Sequence, residues 1–224
     1  RRADPDPGFL AGVRALCDRS GAVIVLDEIT AGWRLHLGGA HLRYRAAPDL
    51  AVFAKALGNG HPIAAVIGRA AVMQAAQESF ISSTYWTEGV GPAAALAAIR
   101  KMRSADVPRH VEAIGRRFQE GVREIAARAG VPLNAVGHPA LVSIQFDHPR
   151  AAALGTLLTV RMLARGILAG GGFYPSLAHG DEHVDRYLAA AKEIFPELAE
   201  AIDRDDVEQR IGGPVRHSGF ARLA

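Results

Sequence analysis

Two uninterrupted apolar runs constrain the fold of this chain more than any other feature of its sequence. AVIVL at 22–26 ends in Asp27, and LAVFA at 50–54 ends in Lys55. Continuous apolar runs of this length are typical of parallel strands that are buried on both faces. Ligands of open α/β sheets gather at the carboxyl ends of the strands. We therefore expect the side chains of Asp27 and Lys55 to project into one crevice.

The rest of the sequence alternates helical and extended patterns, which predicts an α/β fold. An amphipathic helix begins near Phe9 and is stopped by Gly21. Strands are predicted at 22–29, 50–54, 63–68 and 140–147, and further helices at 69–78, 91–105, 107–129, 150–165 and 181–202. A boundary near residue 104 is expected to separate a mostly parallel-sheet region, 1–104, from a small α+β region, 105–224.

Composition limits the compartment and the classes of partner. The single cysteine, Cys17, cannot form an internal disulfide, which favours a reducing, cytoplasmic setting. The net charge is only +3 and the arginines are interspersed with carboxylates, so a nucleic acid is not expected as a partner. Spanning a membrane takes about 18 consecutive apolar residues, and no run of the sequence approaches that length.

Lys55 is an unusual choice in this sequence, because 23 of its 26 basic residues are arginines. A lysine that snorkels out of a strand end would explain Lys55 alone, and a buried ion pair would explain it together with Asp27. The chemical interpretation is catalysis with pyridoxal phosphate. Only a primary amine can form an imine with that cofactor, and an acidic side chain keeps its pyridine nitrogen protonated.

Three stretches, GAVIVLDEITAGWRLHLGGAH, PDLAVFAKALGNGHPIAAVIG and TYWTEGVGPAAALAAI, resemble the class III, fold type I aminotransferases, particularly their glutamate-1-semialdehyde aminomutase-like branch. The resemblance implies that Lys55 is the Schiff-base lysine and that Asp27 pairs with the pyridine nitrogen of pyridoxal 5'-phosphate. It implies that Ile29 packs against the cofactor ring. It also implies that Thr87 binds the phosphate of the cofactor in the partner subunit, with Thr84 as the second candidate for that role.

The same resemblance implies the architecture and the assembly. The chain resembles the C-terminal part of a fold type I large domain, with a mostly parallel sheet and helices, followed by a small α+β C-terminal domain. Family members carry a comparable stretch of chain before the point that matches Arg1. The expected functional unit is a homodimer with composite sites that takes a small-molecule amino donor and a carbonyl acceptor. We expect the 224-residue chain by itself to be inactive as a transaminase.

Two other interpretations stay open at this stage. A metal-dependent hydrolase would use Asp27, Glu28 and the histidines of HGDEH, His179 and His183. Against it, Gly180-Asp181 has the pattern of a helix start, which would leave His179 outside the helix and spoil the usual spacing of a metal-binding pair. The other interpretation is a catalytically inactive remnant that dimerises or binds a partner.

Overall fold

The computed structural model describes residues 4–217, which form two compact units, 4–110 and 111–217. The domain boundary expected near residue 104 stays a prediction. None of the helices in the described part of the chain is long and apolar enough to cross a membrane.

The N-terminal unit is built on a three-stranded sheet, with the strand order β1-β2-β3. Its helices are α1 Phe9–Ser20, α2 Ala40–Arg43, α3 Ala70–Met73 and α4 Val90–Ser104, and its strands are β1 Val25–Asp27, β2 Leu50–Phe53 and β3 Ala65–Gly68. As predicted, α1 ends at Gly21, whose φ of 70° is readily adopted only by a residue without Cβ.

The pairing of β2 with its two neighbours differs between the two edges. β1 runs parallel to β2, so that Asp27 lies opposite Val52. β3 runs antiparallel to β2 and places Gly68 opposite Leu50. The reversal follows from a connection that contains only a short 3-10 turn, because a parallel neighbour would require a long crossover. The expected mostly parallel sheet is therefore mixed in this unit.

β1, the observed part of the strand expected at 22–29, is not buried on both faces in the described part of the chain. β1 has only three residues, and the side chain of Val25 is 53% exposed. Within the described residues β1 lies at the edge of the sheet and pairs with β2 alone, so it lacks the second neighbour and the two covering layers that a buried strand needs. The apolar run correctly identifies hydrophobic residues, but it does not show how much of their surface this unit buries.

The C-terminal unit packs helices against a second, antiparallel sheet with the strand order β4-β5-β6. Its helices are α5 Val107–Ala129, of which residues 107–110 fall in the N-terminal unit, α6 Ala151–Ala164, α7 Asp181–Asp203 and α8 Val207–Ile211, and its strands are β4 Leu133–Val136, β5 Val142–Phe146 and β6 Gly172–Phe173. The largest fully buried side chains include Phe195, Leu154, Leu157 and Met162. The predicted helix at 107–129 is confirmed, whereas β4 and the short helices α2 and α8 were missed.

Asp49 ties the elements of the N-terminal unit together immediately before β2. Its buried carboxylate accepts hydrogen bonds from Arg14 Nη1 of α1 (2.8 Å), from the N–H of Ile24 (2.8 Å) and from Arg69 Nη1 after β3 (2.9 Å). The hydrogen bond from Arg14, followed by those from Ile24 and Arg69, holds the pKa of Asp49 well below its usual value. The charged form therefore stabilises the folded unit.

Asp49→Asn should make the stability of the chain less dependent on pH. Because the folded-state pKa is lowered, the stabilisation is complete above the unfolded-state pKa of about 3.9 and is lost as the pH falls toward the folded-state value. We expect the variant to unfold at lower urea than the wild type at pH 7, with a difference that shrinks below about pH 4.

The measurement is urea unfolding at neutral and acidic pH, with Asp18→Asn as the matched control. Asp18 pairs with the same Arg14 but is exposed, so its loss should shift the midpoint little at any pH. Equal midpoints for Asp49→Asn and the wild type at pH 7 would contradict the role of Asp49.

Candidate active site

Asp27 is the last residue of β1 and lies at the carboxyl end of the parallel pair. Its side chain is exposed, and its Oδ1 accepts a hydrogen bond from the N–H of Ile29 at 3.0 Å. This contact across two residues fixes the orientation of the carboxylate and draws Ile29 back toward the strand end. Ile29, the residue predicted to contact the cofactor ring, comes two residues after Asp27 and is partly buried.

Lys55 follows β2 and begins the 3-10 turn Lys55–Leu57. Its φ of 47° lies in the left-handed region, which costs a residue with a side chain about 1 kcal/mol. Backbone strain of this kind clusters at functional positions. The side chain is exposed, and Nζ donates a hydrogen bond to Thr30 Oγ1 at 2.6 Å.

The structure brings Asp27 and Lys55 to the same edge of the sheet. Asp27 is opposite Val52, and Lys55 comes three residues after Val52 in the chain. The Lys55–Thr30 hydrogen bond then joins the turn after β2 to the loop after β1. An amine and a carboxylate are thus presented together at the carboxyl ends of two parallel neighbours, the place where α/β sheets bind ligands.

Glu28 secures the loop that follows Asp27. The residue is only 3% exposed, and its Oε2 accepts a hydrogen bond from the N–H of Ala40 at 2.9 Å. Oε1 accepts one from the N–H of His41 at 2.7 Å and lies 2.9 Å from His41 Nδ1. Glu28 therefore closes the loop 29–39 onto the end of β1. The sequence indicated Glu28 only as a candidate metal ligand, because its hydrogen-bond partners lie 12 and 13 residues further along the chain.

The first turn of that loop depends on Gly32. Its N–H donates to the carbonyl oxygen of Glu28 at 2.7 Å. A Cβ on Gly32 would lie 2.7 Å from that oxygen and 2.8 Å from Cδ1 of Phe53, closer than side-chain carbons approach other atoms. Glycine is needed here because the turn packs directly on a buried ring of β2.

Thr87 lies in the exposed turn that precedes α4. Within residues 4–217 no hydrogen bond connects it to Asp27 or Lys55. The neighbouring Glu88 caps α4, since its carboxylate accepts hydrogen bonds from the N–H groups of Val90 (2.8 Å) and Gly91 (3.2 Å). Thr84, the second candidate, lies in the same exposed turn.

The histidines of HGDEH lie in the C-terminal unit, around the start of α7. The helix begins at Asp181 with Gly180 as its N-cap, so the prediction that His179 lies outside the helix is confirmed. His183 Nδ1 accepts a hydrogen bond from the Gly180 N–H at 3.1 Å. Both histidines line a cavity of about 270 Å³ in this unit, together with Phe118, Phe173 and Tyr187.

The interpretation as a metal-dependent hydrolase requires a cluster of metal-binding side chains, which the described part of the chain does not show. Among residues 4–217 there is no group of three or more His, Cys, Asp or Glu side chains placed to hold a metal ion. The carboxylate of Glu28, one of the ligands considered for the metal, instead accepts hydrogen bonds from the N–H groups of Ala40 and His41.

Comparison with known proteins gives consistent similarities. The profile of the family Aminotransferase class-III matches residues 3–195. The chain is 33% identical over 212 residues to a glutamate-1-semialdehyde 2,1-aminomutase of Desulfosudis oleivorans, covering 87% of the chain and 50% of that protein. It is 36% identical over 156 residues to a 3-aminobutyryl-CoA aminotransferase of Cloacimonas acidaminovorans, covering 69% of the chain and 38% of that protein.

The fold is similar to that of a solved structure, the FumI protein of Sphingopyxis sp. MTA144 in its PLP internal aldimine form. The TM-score is 0.81 at 25% identity, over 87% of this chain and 48% of that one. The similarity confirms the fold type I class expected from the sequence. The chain spans about half the length of the curated relatives that it matches.

Glu28→Gln should destabilise the chain, because an amide cannot accept hydrogen bonds at both of its ends. At least one N–H of residues 40–41 would lose its acceptor, at a cost of about 1–3 kcal/mol in the free energy of unfolding. Glu78→Gln, which changes an exposed glutamate of the same unit, is the matched control and should cost less than about 0.5 kcal/mol. Denaturant unfolding followed by circular dichroism measures both, and a Glu28 variant as stable as the control would contradict the anchoring role.

Proposed function

Since the chain belongs to the class III aminotransferase family, we propose that its sheet edge forms the lysine and aspartate side of a pyridoxal-phosphate site for amino-group transfer. The observation that carries the proposal is the placement of the Lys55 amine and the Asp27 carboxylate at the carboxyl ends of two adjacent parallel strands. The proposal concerns an enzyme of full family length, of which this chain spans about half.

The residues present fit the cofactor. Lys55 offers an exposed primary amine, the only kind of side chain that can hold the cofactor as an imine. Asp27 offers an exposed carboxylate, oriented by the N–H of Ile29, for the protonated pyridine nitrogen. Ile29 would pack against the ring. When bound, pyridoxal phosphate supplies an electron-accepting ring for the electron pair of a substrate Cα–H bond.

Each residue then has a distinct task. As a free amine, Nζ of Lys55 would take the proton from the substrate Cα and give it up again during amino-group transfer. The carboxylate of Asp27 would pair with the ring nitrogen and favour its protonated form. No arginine could replace Lys55 in this task, because a guanidinium does not give up its proton at physiological pH.

The proposed substrates are a small amino acid or amino-aldehyde as the amino donor and a carbonyl compound as the acceptor. The relatives include a protein named as an aminomutase and one named as an aminotransferase. Both reaction types use the same lysine and aspartate, and they differ in whether the donor and the acceptor groups lie on one molecule or two. Amino-group transfer between two separate compounds distinguishes them.

We also propose that the enzyme is a homodimer in which Thr87 binds the cofactor phosphate of the partner's site. Support comes from the exposed apolar side chains around Thr87. Phe80 is 96% exposed and Trp86 is 64% exposed, and Ile81 and Tyr85 are more than half exposed. Contiguous exposed apolar surface commonly marks a protein interface.

A cytoplasmic location is proposed from the single cysteine.

Asp27→Asn in an enzyme of full family length that contains this chain should still bind the cofactor but turn over slowly. Removal of one preorganised charge at the reacting ring should lower kcat by about 100-fold or more. Asp203→Asn, which changes an exposed aspartate at the end of α7, is the control and should leave kcat unchanged. Near-normal turnover of the Asp27 variant would show that Asp27 is only structural.

A further inference from the structure

The proposed function gives no role to the hydrogen bond between Lys55 and Thr30, which lies at the carboxyl ends of β1 and β2. Lys55 Nζ donates to Thr30 Oγ1 at 2.6 Å, across 25 residues of sequence. Thr30 comes three residues after Asp27, on the loop that Glu28 anchors. The amine is therefore connected to the strand that carries Asp27 and not only to its own turn.

Thr30 is held by the backbone contacts of the same loop. Its carbonyl oxygen accepts a hydrogen bond from Arg34 Nη1 at 2.6 Å. The turn beneath it is closed by the Gly32 N–H to the Glu28 carbonyl oxygen and packs on Phe53. The hydroxyl is thus presented from a fixed turn, and the long, flexible stem of Lys55 adjusts to it.

A hydroxyl suits this position because it can serve both protonation states of the amine. It accepts a hydrogen bond from an ammonium group and donates one to a neutral amine. A carboxylate in the same place could only accept, and valine, with nearly the same shape, could do neither. Threonine therefore keeps Nζ in place as the amine gains and loses a proton.

We propose that Thr30 is a positioning residue for the Lys55 amine, which it holds at the sheet edge beside the end of β1. This inference rests on the proposed function, because an oriented amine matters only if Lys55 holds the cofactor. Thr30 does not exchange protons with the substrate. It limits the positions from which Nζ meets an incoming carbonyl carbon.

The test compares Thr30→Val and Thr30→Ser in an enzyme of full family length that contains this chain. In crystal structures of the cofactor-free enzyme, Lys55 should keep a single conformation in the wild type and in Thr30→Ser, and should occupy several in Thr30→Val. Lys55 Nζ in its wild-type position in Thr30→Val would overturn the proposal. If Thr30→Val does not fold, Thr30→Ala takes its place with the same expectation.

The rate of cofactor capture, followed by visible absorbance, gives the second measurement. Loss of one hydrogen bond at the amine should slow capture about tenfold in Thr30→Val, while Thr30→Ser stays within about twofold of the wild type. Thr159→Val, which removes a hydroxyl bonded within α6, is the matched control and should not change the rate. Equal rates for Thr30→Val and the wild type would overturn the proposal.

Lys55→Ala separates this inference from the function on which it rests. If Lys55→Ala no longer captures the cofactor but Thr30→Val captures it at the wild-type rate, the proposed function stands and the role of Thr30 fails. If Lys55→Ala captures the cofactor normally, the proposed function itself fails, and the role of Thr30 toward a cofactor lysine fails with it.

Discussion

The buried carboxylate of Glu28 is the interaction on which the candidate site depends. Successive side chains at a strand end point to opposite faces of the sheet. Glu28 is fixed inward by the N–H groups of Ala40 and His41, so its neighbour Asp27 is directed to the opposite, exposed face. A buried carboxylate is costly unless its oxygens are satisfied, and here both of them accept hydrogen bonds. The same contacts close the loop that carries Thr30.

The sheet supplies the second requirement, which is to bring the end of β2, and Lys55 after it, to the edge of the sheet at which Asp27 ends β1. Parallel pairing of β1 with β2 brings both carboxyl ends to one edge. Asp49 fixes the start of β2 through α1, the residue before β1 and the residue after β3. The two buried acids, Glu28 and Asp49, are therefore structural. The exposed acid, Asp27, is the one available for chemistry.

Much of this arrangement could be predicted from the sequence because it depends on local pattern. The period of apolar residues in 107–129 gave the bounds of α5, and the two apolar runs placed Asp27 and Lys55 at strand ends. The roles of Glu28 and Thr30 could not be predicted, because their partners lie 12 to 25 residues away and depend on how the loop closes. The exposure of Val25 is likewise not contained in the local pattern, since an apolar run does not reveal how many layers cover it.

Borohydride reduction of the cofactor-loaded enzyme, followed by peptide mapping, identifies the lysine that holds the cofactor. Reduction makes the bond between the amine and the cofactor permanent, so the labelled peptide survives digestion. If the sheet edge is the cofactor site, the label lies on Lys55, in the peptide that contains LAVFAKALGNG. A label on Lys101 or Lys192, both of which are exposed helix residues, would contradict the assignment.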